Sequence, residues 1–144
     1  MTRTLKVLAS IPALLFLLAA LYLGWLYISS ERYDAKVVRL NDTAESLPKY
    51  GGEVLTNKRA GDGVCTGSSD SSLPAINHMV KIDAKDYEMV ESQFYNETQR
   101  QGITWDKKAK QSNIFEREGK EYQLQLTRYT SPAGYYGVNL TACN

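Results

Sequence analysis

The chain has 144 residues, with 17 basic and 16 acidic side chains, one histidine, two cysteines and a net charge of +1. So even a balance excludes the basic footprint of a nucleic-acid-binding domain and the acidic tail of a solvating one. Both cysteines and every acidic residue lie beyond residue 28, which divides the chain into two chemically unlike parts.

Val7 to Ile28 contains no charged residue. At about 1.5 Å of rise per residue such a run is roughly 33 Å long, slightly more than the ~30 Å hydrocarbon core of a bilayer. One membrane span follows, and it must be helical because an isolated segment in lipid has to bond its own backbone groups. Pro12 falls near the start, where a missing N–H disrupts least, and Tyr22, Trp25 and Tyr27 gather at the far end, where amphipathic rings favour the headgroup layer. A cleaved export signal fits less well, because its apolar core is usually only about 7–15 residues long. Leu18-Ala19-Ala20 and Ile28-Ser29-Ser30, the nearest cleavage candidates, place branched residues where small ones are required. With no cysteine just after the run to carry lipid, the helix itself is the tether.

Arg3 and Lys6 precede the span while Arg32, Lys36 and Arg39 follow it, so charge alone does not choose an orientation. Two cysteines confined to the C-terminal part suit an oxidising compartment. The reading is a single-pass protein of the cell membrane with residues 1–6 as a cytosolic tail, 7–28 as the span and the remainder extracytoplasmic.

Over residues 29–47, Tyr33, Val37, Leu40, Ala44 and Leu47 recur at spacings of four and three, which continues the helix outward as a stalk. Its apolar stripe either packs on the next domain or pairs with a second copy, leaving the oligomeric state open. Pro48 and Gly51-Gly52 end the helix and open a domain over residues 48–144, large enough for one core.

Within that domain the period changes to two. Val54-Leu55-Thr56 opens one strand, and Ile76, His78, Val80 and Ile82 alternate on another. Between them GDGVCTGSSDSSLP reads as a loop containing Cys65, which a bond to Cys143 would fasten to the last strand, free or intermolecular thiols being the alternative. A helix comes next, with Asp83 as the expected N-terminal cap, Ile82 and Tyr87 as a hydrophobic staple and Gly102 as the stop. Tyr87, Val90 and Phe94 mark its buried face; Glu88, Glu91, Glu97 and Gln101 mark the other. After Ile103, Trp105 and the polar run DKKAKQ, a strand at Ile114-Phe115 turns at Gly119 into Tyr122, Leu124 and Leu126. A second turn at residues 131–134 leads into Tyr136, Val138, Leu140 and Ala142. Helix, two strands, helix, three strands is an α+β order: a mainly antiparallel sheet with one helix packed on it.

From about Leu47 to Cys143 this layout resembles a loose group of small, mostly uncharacterised envelope proteins of Gram-positive and related bacteria. The shared features are a Pro/Gly opening, a strand leading to a cysteine, the helix Asp86–Gln101 followed by Gly102 and a tryptophan, and two strands ending in a final cysteine. Members commonly carry a lipoprotein cysteine, which a membrane helix replaces here. The resemblance implies a layout and a compartment, and it supplies no catalytic residues.

Reactive constellations are not evident. His78 alternates with apolar residues and reads as a hydrogen-bonded core histidine, with no Ser or Cys at a nucleophilic spacing. Asp62 and Asp70 do not follow a calcium-loop pattern, Cys65 and Cys143 lack zinc-site spacing, and Gly61-Asp62-Gly63 is not followed by the GK[ST] of a phosphate loop. No catalytic residue, metal ligand or cofactor site is assigned. Two contact surfaces remain: Trp105 with Lys107, Lys108 and Lys110, suited to anionic headgroups or wall polymers, and Tyr129 and Tyr135 beside Tyr136 at the last turn. Against these stands a plain solvated charge run beside a core tryptophan. Asn-x-Thr triplets at Asn41, Asn96 and Asn139 fall in predicted regular elements and read as chance. The expected function is a membrane-tethered accessory or partner-binding module with a protein partner in the envelope. A small-ligand or stress sensor comes next, and a hydrolase built around His78 last.

Overall fold

Forty-four residues, Thr2–Glu45, form one continuous helix, α1. A computed structural model describes the backbone of residues 2–68, 73–131 and 133–143, and the side chains of these other than 2–13 and 59–62. Two compact units divide α1 between Ala35 and Lys36. In the first, the side chains from Leu14 to Tyr27 are exposed, as apolar residues meant for lipid would be, and α1 is long and apolar enough to cross a membrane. The rings of Tyr22 and Trp25 stack with centroids 6.4 Å apart.

The second unit, from Lys36 onward, is an α+β domain. It takes in the last turns of α1, because Leu40, Ala44 and Leu47 are buried while Val37 is half-buried. The C-terminal half of the stripe therefore packs on the domain, and Tyr33, in the first unit, is exposed. The remaining elements are β1 (Val54–Gly63), β2 (Leu73–Lys81), a 3-10 turn (Ala84–Asp86), α2 (Tyr87–Arg100), β3 (Trp105–Asp106), β4 (Gln111–Ser112), β5 (Phe115–Arg117), β6 (Lys120–Tyr129) and β7 (Tyr135–Ala142). All described strand pairs are antiparallel, in the order β1-β2-β7-β6-β4-β3, with β5 also pairing β6.

Alternation in the three central strands sorts their side chains to two faces. Ile76 and Val80 of β2, Tyr136, Val138 and Leu140 of β7, and Tyr122, Leu124 and Leu126 of β6 join one core with Leu40 and Leu47 of the first helix segment and Val90 and Phe94 of α2. Both helical segments thus cover the same face, leaving the opposite one free of them. Tyr136 fixes the domain's first residues to this core: its hydroxyl accepts from the Tyr50 N–H (2.8 Å) and donates to the Tyr50 carbonyl (2.9 Å).

Several expectations are corrected. The Gly/Ser-rich loop is shorter than the run from Gly61 suggests, since β1 continues through Gly63 with an irregularity in its pairing between Arg59 and Gly63. Backbone pairing with β2 overrides the glycine content there. Asp83 precedes the 3-10 turn and makes no side-chain capping bond, so α2 starts at Tyr87. Five strands follow α2, not three: DKKAKQ folds into a tight β3–β4 hairpin in which the Asp106 carboxylate accepts from the Lys108 and Ala109 N–H groups. Gly102 (φ +86°) ends α2 as expected, and Gly119 (φ +70°) sits in the β5–β6 turn.

Cys65 and Cys143 are joined, with Cα atoms 5.7 Å apart and 78 residues between them in sequence. Cys65 is buried although its loop is polar. Gln123 completes the fastening: its Oε1 accepts from the Thr66 N–H (2.7 Å), while its Nε2 donates to Thr66 Oγ1 (2.7 Å) and to the Ser112 carbonyl (3.0 Å).

Candidate functional site

Residues directly opposite each other in an antiparallel sheet project to the same side. On the face away from the helices this rule assembles one row. Asn57 pairs with Asn77, Asn77 with Asn139, Asn139 with Gln125, and Gln125 with Gln111. Five carboxamides therefore lie in register across β1, β2, β7, β6 and β4. Beside them runs a second row, Ala75–Thr141–Gln123.

The four amides from Asn77 to Gln111, together with this second row and Val64, line a concavity of about 330 Å³. Among the described residues no lining side chain is charged. Carboxamides and hydroxyls each offer donors and acceptors, so this lining is rich in hydrogen-bonding groups of both signs. Gln123 is committed to the cysteine loop, whereas Gln125 is exposed and Gln111 and Asn139 are half-buried. Asn139 Nδ2 donates to Thr127 Oγ1 at 3.3 Å.

Asn77 is 4% exposed. Its Nδ2 donates to the Tyr129 hydroxyl at 2.6 Å, and its Oδ1 has no donor among the described residues. A buried amide oxygen left this way costs on the order of 1–3 kcal/mol. Tyr129 reaches Asn77 by lying over Gly137, where a Cβ would come within 2.6 Å of the ring and 3.0 Å of Asn77 Oδ1. Glycine at 137 is thus the condition for this contact.

The residues singled out from the sequence fall into two places. Tyr129 and Tyr135 pair across β6 and β7, both half-buried, and line a second cavity of about 410 Å³ with Ile82 and Tyr87. Tyr136, next in sequence, is a core residue. Trp105 is half-buried: its Nε1 donates to Thr98 Oγ1 (2.8 Å), and its ring meets Phe94 and Tyr95 edge-on at 5.8 and 4.8 Å. Lys107 and Lys108 are exposed on the β3–β4 turn. Lys110 is directed elsewhere, its Nζ lying 2.6 Å from Glu91 Oε1 and 5.3 Å from the centre of the Tyr87 ring. The Glu91 carboxylate raises the Lys110 pKa above its ordinary value. Trp105 and Lys110 thus serve the packing around α2, which reduces the expected cationic cluster to Lys107 and Lys108.

His78 occupies the helix-covered face and is 1% exposed. It is not the hydrogen-bonded histidine expected, because neither ring nitrogen has a partner among the described residues. Burial lowers its pKa below 6.5, the Lys49 ammonium adds to that, and the Glu45 carboxylate opposes it. The fold thus favours neutral imidazole. The unfolded chain takes up a proton below about pH 6.5, so stability present above that pH falls on acidification and levels off below the lower folded value. A decline of at most about 1.4 kcal/mol per pH unit is expected as the pH falls below about 6.5, read from urea midpoints, and His78→Leu should flatten it. Glu45, whose pKa is lowered chiefly by Lys49, contributes only in the more acidic carboxylate window.

Sequence reading missed the amide row entirely. Each member taken alone is a polar residue at an alternate strand position, which is what a solvated sheet face looks like. Compared with family models, curated proteins and solved structures, the chain matches none.

Proposed function

We propose that the protein is a single-pass membrane-tethered module whose domain lies on the extracytoplasmic side, binds a component of the envelope, and carries out no covalent chemistry. The concavity lined by Asn77, Gln111, Gln125 and Asn139 carries this reading, because it concentrates neutral hydrogen-bonding groups on a face no helix covers. The Cys65–Cys143 bond supports an oxidising location, and α1 supports the tether. Tethering confines the domain's search to the membrane surface and so raises its effective concentration for a neighbouring protein partner. A small-ligand sensor would use the same cavity and differ only in its response to binding.

Protease added to spheroplasts expressing the full chain should remove the domain while a cytosolic marker survives; an intact domain beside a digested external marker overturns the sidedness. A photocrosslinking residue at Gln125 should capture a specific adduct in intact membranes. Cleavage at a site inserted before Lys36 should lower that yield several-fold, and an undiminished yield would remove the role of the tether.

A further inference from the structure

We propose that the amide row is a binding site for a neutral, extended glycan. This deepens the binding reading above by naming the class of ligand.

Three observations converge on a glycan. The first is chemical: an anionic or cationic ligand would call for an opposite charge, and among the described residues no lining side chain carries one. A carboxamide can donate and accept at once, which matches a ligand whose hydroxyls do the same.

The second is spacing. Asn57, Asn77, Asn139, Gln125 and Gln111 lie in register on five adjacent strands. Neighbouring strands are about 4.8 Å apart, so the row offers an amide at each such step over roughly 19 Å. One pyranose unit of an extended chain is close to that step in length.

The third is the flank of the row. Tyr129 lies over Gly137 with its hydroxyl anchored on Asn77, setting an aromatic ring beside the amides. Asn77 Oδ1 is a buried acceptor with no donor among the described residues, and a sugar hydroxyl is a donor of the kind it lacks. The opposite flank is braced before any ligand arrives, since Gln123 and the Cys65–Cys143 bond hold the loop carrying Val64. A preformed site of this kind loses little freedom on binding.

The test uses the full chain in nanodiscs, titrated calorimetrically with cellohexaose and chitohexaose, two neutral β-linked hexasaccharides. A capped ten-residue Ser/Ala peptide serves as the comparison. At least one hexasaccharide should bind, the peptide should not, and Gln125→Ala and Asn139→Ala should each weaken binding at least tenfold while Lys107→Ala changes nothing. Gln125 is exposed, so its variant should keep the wild-type thermal midpoint, and it decides the matter alone if Asn139→Ala unfolds. Absence of binding by both hexasaccharides, binding unchanged by Gln125→Ala, or binding of the peptide instead overturns the proposal. None of these failures touches the protease and tether experiments, which test the broader reading on their own terms.

Discussion

Replacing Cys65 and Cys143 together by serine is expected to lower the free energy of unfolding by about 4.5 kcal/mol, the chain-entropy value for cross-linking a loop of this size. The bond spans 78 residues and so restrains most of the domain's unfolded chain. Domains of ordinary stability have about 5–15 kcal/mol in all, so this is a large share. Urea denaturation of the double variant, and of the wild type under reductant, should show the same shift in midpoint. The Gln123–Thr66 bonds would then remain to hold the loop that carries Val64 against the sheet. They are exchanged for water bonds on opening and contribute about 1 kcal/mol each. A loss below about 1 kcal/mol in both measurements would mean that they, and not the bridge, hold the loop in place.

How much of this was legible depends on the distance over which each feature is decided. Leu40, Ala44 and Leu47 are buried because their spacing puts them on one helical face, a property that a single segment of sequence carries complete. The same holds for the apolar alternation of β2, β6 and β7 and for the glycine stops at 102 and 119. Asp83 failed as a cap because a short 3-10 turn intervenes and moves the start of α2 to Tyr87. Two-residue strands such as β3 and β4 are too short to show any period, although Asp106 ahead of the turn was a usable cue. The amide row lies beyond local pattern altogether. Asn57, Asn77, Gln111, Gln125 and Asn139 become neighbours only through the pairing register of five strands, and a slip of one residue in any strand would turn its amide to the other face. Only the bridge between Cys65 and Cys143 hinted from sequence that the region near Val64 is held in a defined place.

Leu40→Ala is expected to cost about 3 kcal/mol, although Leu40 belongs to the same helix as the long apolar N-terminal segment. Its side chain is 1% exposed and packs in the same cluster as Phe94, Val138 and Leu140. Truncation removes apolar burial and leaves a cavity that neighbouring side chains refill only in part, which is the source of the large value. Val38, two residues earlier and 59% exposed, is the control: Val38→Ala should stay within about 0.5 kcal/mol. Amide hydrogen exchange in β2 and β7 of the full chain reads both, with rates rising about a hundredfold for Leu40→Ala and hardly at all for Val38→Ala. A small effect at Leu40 would mean that the domain is complete without α1. The expected large one means that any fragment made to study the domain has to begin no later than Lys36, because the last turns of α1 are also part of the core. Pulling or tilting that helix would then act on the core directly, through Leu40, Ala44 and Leu47, and through the Tyr50 backbone groups bonded to the Tyr136 hydroxyl.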